Sequence, residues 1–304
     1  MKYNVCRYDL ELLAMILNEK AYAKLNLSLD VLSRMEDGYH KMLMILQTVD
    51  LCDDLRIDIS RGSGLSVTTD LRYVPSDSRN IAWKAAELFL QETGIVGYRV
   101  AVDIRKRIPV CAGMGGGSAD AAAVLRALNR GFGTGLDADK LRKLSERLGS
   151  DVPFCIAGGT AKSEGRGEIL TDLPELPECS ILICKPGFSV STPELFALID
   201  CRKIVCRPDT EGIISALSER SLNGVCRRMY NVFEPVIPSG GKTINMIKQA
   251  MLENDALGAV MTGTGSAVFG VFSDTDAARR AEEIISEEYG RCEIARPVGG
   301  YNCN

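Results

Sequence analysis

The sequence predicts a two-domain fold of mixed strands and helices with a ligand cleft between the domains, and three observations carry that expectation. The chain has 304 residues, more than one hydrophobic core usually serves. Stretches that alternate at the two-residue period of strands are interleaved with stretches that repeat at the 3.6-residue period of helices. One helical stretch follows four glycines in five positions, Gly113-Met114-Gly115-Gly116-Gly117, where the backbone can take positive φ and come close to a ligand.

Taken in order, residues 21–31 alternate strictly. Ala23, Leu25, Leu27, Leu29 and Val31 fall on one face, with Tyr22, Lys24, Asn26, Ser28 and Asp30 on the other. The polar face reads either as the solvated side of a half-buried strand or, through Lys24 and Asn26, as a projection into a cleft. Asp37-Gly38 marks a turn and is followed by Tyr39 and His40, the single histidine. Strands are expected at 55–59 and 65–69 about the turn Gly62-Ser63-Gly64. Ile81, Ala85, Leu88 and Phe89 stripe a helix that begins at Asn80 and stops at Gly94. A strand over 98–104 leads into the glycine loop, and the next helix carries Ala121, Val124, Leu125 and Leu128 on one face, with Ser118 as its expected N-cap. Loop N–H groups and the positive helix end then converge where an anion would sit.

A further helix is expected at 137–148, with a stop at Gly149. Asp151 lies just before Pro153, in a turn where its plainest role is to cap the segment after it. Glycines and prolines thicken over 158–178 and mark a domain passage. Beyond it the pattern gives a strand at 181–184, a helix opened by Thr192-Pro193-Glu194, and short helices to about Tyr230. A helix at 242–253, strands at 257–261 and 267–272, a helix at 275–288 and a strand at 292–296 complete the chain. The loop Thr262-Gly263-Thr264-Gly265-Ser266 between the paired strands serves either as a plain hairpin or, through its hydroxyls, as a ligand contact.

Composition narrows the function. A net charge of -4 gives no basic surplus for nucleic acid or anionic lipid. The most apolar early run, 10–17, is interrupted by Glu11 and too short to span a membrane. Eleven cysteines, an odd number without a C-x-x-C pair, beside one histidine, fit a reduced cytoplasm and no zinc site. Neither Gly113-x-Gly115 nor Gly263-x-Gly265 has the third glycine of a dinucleotide fingerprint, and Val236 stands where a P-loop ending in Gly241-Lys242-Thr243 would begin with glycine. A glycine run before a helix can also be only a tight turn, so other stretches must decide.

Three stretches in order do so: Ala23-Lys24-Leu25-Asn26-Leu27 with Asp37-Gly38-Tyr39-His40 and the run Gln47 to Asp53; the loop at 108–122; and 262–270. They resemble the three motifs of the GHMP small-molecule kinases, and the full run from Ala23 to Asp53, together with Gly115-Gly116-Gly117-Ser118 and Ser150-Asp151-Val152-Pro153-Phe154, narrows the likeness to members that act on a cytidine diphosphate-linked polyol. The resemblance implies an α+β fold with an N-terminal α+β domain (1–165), a ferredoxin-like C-terminal domain (166–304) and the active site in the cleft between them. It implies ATP and Mg²⁺, with Asp151 as catalytic base and Lys24 as its partner. Pro109, Val110, Cys111, Ala112, Gly113, Met114, Gly115, Gly116, Gly117, Ser118 and Ala119 would wrap the ATP phosphates, with Asn80 near the adenine. Tyr39 and Phe196 would stack on cytosine while His40 bonds its polar edge; Asn26, Thr192, Gly263 and Gly265 would hold the rest of the substrate. Mg²⁺ would bind chiefly through phosphate and water, leaving Ser118 as a candidate protein contact.

Two departures stand out. Ala119 replaces the second serine common after the glycines, and Lys24 lies farther from the start than is usual, so residues 1–14 are expected to be a dispensable extension, with Met15 restoring the usual spacing. A cytoplasmic monomer or weak homodimer without nucleic-acid or membrane partners is expected. The competing readings are a mevalonate, homoserine or sugar kinase, and a non-catalytic nucleotide sensor.

Overall fold

The computed structural model describes residues 14–238 and 240–301. The expected extension therefore lies outside the described residues except for Ala14, which opens the first strand. In order, the elements are β1 (Ala14–Arg34), β2 (His40–Arg61), β3 (Gly64–Thr69), α1 (Ile81–Thr93), β4 (Tyr98–Arg105), α2 (Gly116–Gly131), α3 (Ala138–Ser145), α4 (Val152–Ala157), β5 (Thr160–Gly165) and β6 (Ile169–Asp172). Then come β7 (Ser180–Pro186), α5 (Thr192–Asp200), α6 (Thr210–Ser218), α7 (Leu222–Cys226), β8 (Tyr230–Asn231), a 3₁₀ turn (Glu234–Val236), α8 (Gly241–Glu253), β9 (Gly258–Met261), β10 (Val268–Phe272), α9 (Thr275–Tyr289) and β11 (Gly290–Ala295).

A seven-stranded sheet runs β3-β4-β2-β1-β8, with β5 and β6 attached through β2. The 22-residue β2 is shared along its free edge: Met42–Gln47 pairs with β5 and Asp54–Arg61 with β4. The runs expected at 55–59 and 65–69 are both strands, yet β4 lies between them, antiparallel to β2 and parallel to β3. The second sheet is antiparallel throughout in the order β11-β7-β10-β9, with α8 and α9 as its crossovers. That is the ferredoxin-like order. β6 and β8 come after the expected boundary at 165/166 and yet join the first sheet, β8 lying parallel to β1.

The hydrophobic core crosses between the sheets. Leu29, Met44 and Phe154 pack in one buried cluster with Leu195, Phe233, Met261 and Phe272, each such side chain contributing about 1.5–3 kcal/mol. This packing also decides between the two readings of β1. Its polar face is not solvated: Lys24 and Asp30 are 4% exposed, and Asn26 and Ser28 are fully covered. The hairpin between β9 and β10 bonds to it at Asn26, β8 pairs beside it in the sheet, and Asp30 is paired with Arg207 at 2.6 Å.

Candidate active site

The glycine loop is fixed by backbone contacts on two sides. The Lys24 amide donates to the Met114 carbonyl (3.0 Å), and the Thr262 hydroxyl donates to the Gly113 carbonyl (3.2 Å). Gly113 has φ +77°, and a Cβ there would stand 2.2 Å from the Thr262 carbonyl oxygen. Glycine is therefore dictated by both conformation and space. α2 starts at Gly116, with Gly115 (φ +70°) as an N-cap lacking any side chain. Ser118 is thus not the N-cap expected from the sequence; it lies in the first helical turn. The positive-φ glycine makes the turn that a capping side chain would otherwise secure, and the Ser118 hydroxyl faces the adjoining cavities. Ala119 is buried in the core and lines neither cavity.

Asp151 does occupy the N-cap of α4, but its side chain makes no cap bond. Its Oδ2 instead lies 3.5 Å from the Lys24 Nζ. Lys24 in turn donates to Asn26 Oδ1 at 2.8 Å, and that same oxygen accepts from the Gly263 amide at 3.0 Å. Asn26 is fully buried, with its amide nitrogen against the Met44 sulfur, so it aims Lys24 and the hairpin loop and does not reach the cleft.

Two cavities share the glycine loop as a wall. The larger, about 860 Å³, is lined by Lys24 and Asp151 on one side and by Tyr39, His40, Thr192, Phe196, Gly263 and Gly265 on the other. The smaller, about 380 Å³, is lined by residues 108–118 together with Asn80, Lys106 and Asp120. Pro109, Val110, Ala112, Met114, Gly116 and Gly117 face only the smaller one; Cys111, Gly113, Gly115 and Ser118 face both. Asn80 borders the smaller cavity, with its amide spent on structure: Oδ1 accepts from the Ala82 amide and Nδ2 donates to the Pro75 carbonyl.

In the larger cavity the aromatic groups have partners of their own. The His40 ring stacks on Phe196 at 4.5 Å, and its Nε2 is 2.7 Å from Asp200 Oδ1. The Arg166 guanidinium covers the Tyr39 ring at 4.5 Å and pairs with Asp37 at 3.0 Å. Thr192 and Thr264 join their hydroxyls at 2.8 Å across the cleft mouth. Among the described rings Phe196 therefore stacks on His40, while Tyr39 lines the same cavity under Arg166.

One cluster escaped sequence reasoning. Behind the loop, Lys106 Nζ lies 2.5 Å from Asp53 and 2.6 Å from Asp120, all three side chains being buried. Asp53 Oδ1 also accepts the Arg107 and Ile108 amides where the chain enters the loop. Burial pushes the Asp120 carboxyl up against the pull of Lys106; for Lys106, burial opposes the ammonium, but Asp120 and Asp53 outweigh it and hold the amine above its usual value. The only sequence signal was Asp53 at the end of the run from Gln47, because no periodicity marks a contact between residues 53 and 106.

A glycine loop at a helix N-terminus, a lysine–carboxylate pair beside it and a ferredoxin-like second sheet fit a small-molecule kinase, and the chain belongs to the GHMP kinases. Residues 80–159 match the model of the GHMP kinases N terminal domain and residues 213–291 that of the GHMP kinases C terminal domain. Over 266 residues, 87% of this chain and 91% of its relative, it is 44% identical to the 4-diphosphocytidyl-2-C-methyl-D-erythritol kinase of Caldicellulosiruptor saccharolyticus. The enzyme of that name from Clostridium perfringens is 43% identical over 275 residues, 90% of this chain and 95% of the relative. A crystal structure of 4-(cytidine 5'-diphospho)-2C-methyl-D-erythritol kinase matches with a TM-score of 0.77 at 33% identity, covering 93% of this chain and all of that one. Within the GHMP kinases the chain therefore falls in the 4-diphosphocytidyl-2-C-methyl-D-erythritol kinase family. Homoserine kinase from Cytophaga hutchinsonii, at 17% identity and a TM-score of 0.73 over 96% of this chain and 97% of that one, shares the fold. Among the described residues no helix is long and apolar enough to cross a membrane.

Proposed function

We propose that the protein transfers the γ-phosphoryl group of ATP to the 2-hydroxyl of 4-diphosphocytidyl-2-C-methyl-D-erythritol in the non-mevalonate isoprenoid pathway. The observation that carries this reading is the Lys24–Asp151 pair, 3.5 Å apart, in a cavity bounded by the glycine loop on one side and by Tyr39, His40 and Phe196 on the other. Phosphoryl transfer asks a protein chiefly for positioning and for donors around the transferring group. The loop amides and the N-terminus of α2 supply donors for the ATP phosphates. Asp151 accepts the hydroxyl proton as that oxygen attacks phosphorus, and Lys24, aimed by Asn26, offers its ammonium to the transferring oxygens. The hydroxyl is tertiary and crowded, so alignment matters more than for an open alcohol.

The cytosine enters beside Tyr39, with Phe196 and His40 as the facing wall. Asp200 engages His40 Nε2, which leaves Nδ1 for the polar edge of the base. Thr192 and the Gly263–Gly265 loop border the diphosphate and polyol. The donor set also suits Mg²⁺: the oxygens of Ser118 and Asp151 are hard donors, while no group of three or more His, Cys, Asp or Glu among the described residues could form a protein cage. Magnesium carried on ATP would supply charge neutralisation at the phosphates. The protein acts in the cytoplasm as a monomer or weak homodimer.

Mevalonate, homoserine and sugars lack a base to stack on the aromatic wall, and a pure nucleotide sensor has no use for the Lys24–Asp151 pair. A coupled ADP-release assay separates these readings. Turnover is expected with the cytidine substrate and not with mevalonate, homoserine or galactose, and Asp151→Asn should lower kcat by about 10²- to 10⁴-fold. Turnover with one of the other alcohols would discard the cytosine pocket, and nucleotide binding without any turnover would favour the sensor.

A further inference from the structure

Arg126 lies in the middle of α2, ten residues beyond the helix start and away from the cleft. Its neighbours Leu125 and Ala127 are fully buried, and Arg126 itself is only 7% exposed. A charge placed there is costly unless its donors are met, and a buried ion pair is weak evidence for stability, since a well-packed apolar residue often serves as well. What a guanidinium offers instead is a rigid planar fork that fixes several partners at once.

The partners lie on two of the elements that build the active site, α4 and β1, and Arg126 itself belongs to the third, α2. Nη1 donates to the Cys155 carbonyl of α4 at 2.6 Å, Nη2 to the Lys20 carbonyl of β1 at 3.1 Å, and Nε to the Glu19 carboxylate at 3.1 Å. Cys155 is one turn from Asp151, bonded to it through the Cys155 amide and the Asp151 carbonyl at 3.1 Å. Lys20 is four residues before Lys24 on the same strand. Arg126 itself rides on the helix whose N-terminus is the glycine loop. The chain's tail closes the node: the Tyr301 ring lies 4.0 Å over the guanidinium, and the Tyr301 amide bonds to the Ala157 carbonyl at the end of α4 at 2.8 Å.

We propose that Arg126 is a positioning residue for phosphoryl transfer, setting the base, the lysine and the phosphate loop in mutual register through bonds to α4 and β1. The proposal rests on the reading of Lys24 and Asp151 as the reacting pair. Misplacement by about 1 Å can cost on the order of 10²-fold in rate, with ground-state binding little changed, so the signature is a split between kcat and KM.

The test is steady-state kinetics of the full chain with ATP and the cytidine substrate, together with melting curves. Arg126→Ala should lose about 100-fold and Arg126→Lys about 10-fold in kcat, while both KM values stay within about threefold of the parent. A cavity of about 530 Å³, lined in part by Arg126, Glu19 and Tyr301, opens at the guanidinium itself. Guanidinium ion at sub-denaturing concentration should therefore raise kcat of Arg126→Ala several-fold, where sodium at equal ionic strength does not. Should Arg126→Ala fail to fold, Tyr301→Leu decides: it leaves the three bonds in place and removes the ring above them, and a drop of about threefold in kcat with unchanged KM values is expected. An active parent whose variants keep kcat, or lose it only in step with the folded fraction, overturns the positioning role alone. A parent inactive on the cytidine substrate overturns the functional reading and this proposal with it.

Discussion

The two walls of the cleft are made of different material. The glycine-loop wall is backbone: Gly113 and Gly115 turn at positive φ, carbonyls 112–114 accept from β1 and the 262–267 hairpin, and Lys106 with its two aspartates braces the entry to the loop. The wall opposite is side chain: Tyr39 is 54% exposed with the Arg166 guanidinium over its ring, and His40 is set by Phe196 and Asp200. A wall of packed backbone admits almost no substitution, because neither a carbonyl nor a helix start can move aside. A wall of rings and hydrogen-bonding tips is graded, because each group can be trimmed while the chain beneath it stays in place.

That contrast can be broken at several points. Lys106→Met leaves Asp53 and Asp120 facing each other without a cation, and should cost about 3–5 kcal/mol of stability, read from the denaturant midpoint. Gly113→Ala sets a methyl against the Thr262 carbonyl and should lower kcat/KM for ATP about 100-fold, equivalent to roughly 3 kcal/mol of overpacking and positive-φ strain. Retention of ATP binding there would show that the loop yields, against the backbone argument. Tyr39→Ala should raise KM for the cytidine substrate by about 10-fold, within the roughly 1–3 kcal/mol of a stacked base, and leave KM for ATP unchanged. The smallest effect is expected at Cys111, the one side chain in the loop held at positive φ (+55°). Cys111→Gly removes that strain and should leave kcat/KM for ATP within about twofold, with stability altered by less than about 1 kcal/mol. A larger loss would mean that the thiol itself serves the glycine-loop wall.

Much of the architecture was legible because it is written locally. Asn80 and Gly94 bound α1 as the pattern requires, since a cap and a left-handed stop act within one turn. The expected strands at 65–69, 98–104 and 181–184 all lie within observed strands, each long enough for alternation or apolar runs to show. The hairpin loop at 262–266 and the glycine loop were likewise visible as glycine clusters. Less local features were read less well. Ser118 looked like a cap because serine usually is one, and only the positive φ of Gly115 shows that the backbone had already made the turn. The polar face of β1 stayed open between a solvated side and a cleft because alternation reports which residues share a face, not what lies over it.

The sequence alone determined many of the elements and the glycine loop, because capping, periodicity and glycine conformation depend on residues a few positions apart, and its motifs carried the resemblance to the family. It also presented Lys24 and Asp151 as candidates. Only the tertiary structure decided that these two meet at 3.5 Å, that Asn26 serves Lys24 from behind, and that Arg126 joins α2, α4 and β1 through one guanidinium. Contacts between residues 24 and 151, or 20 and 126, are fixed by how sheets and helices pack, and packing is a property of the whole chain that no local pattern encodes.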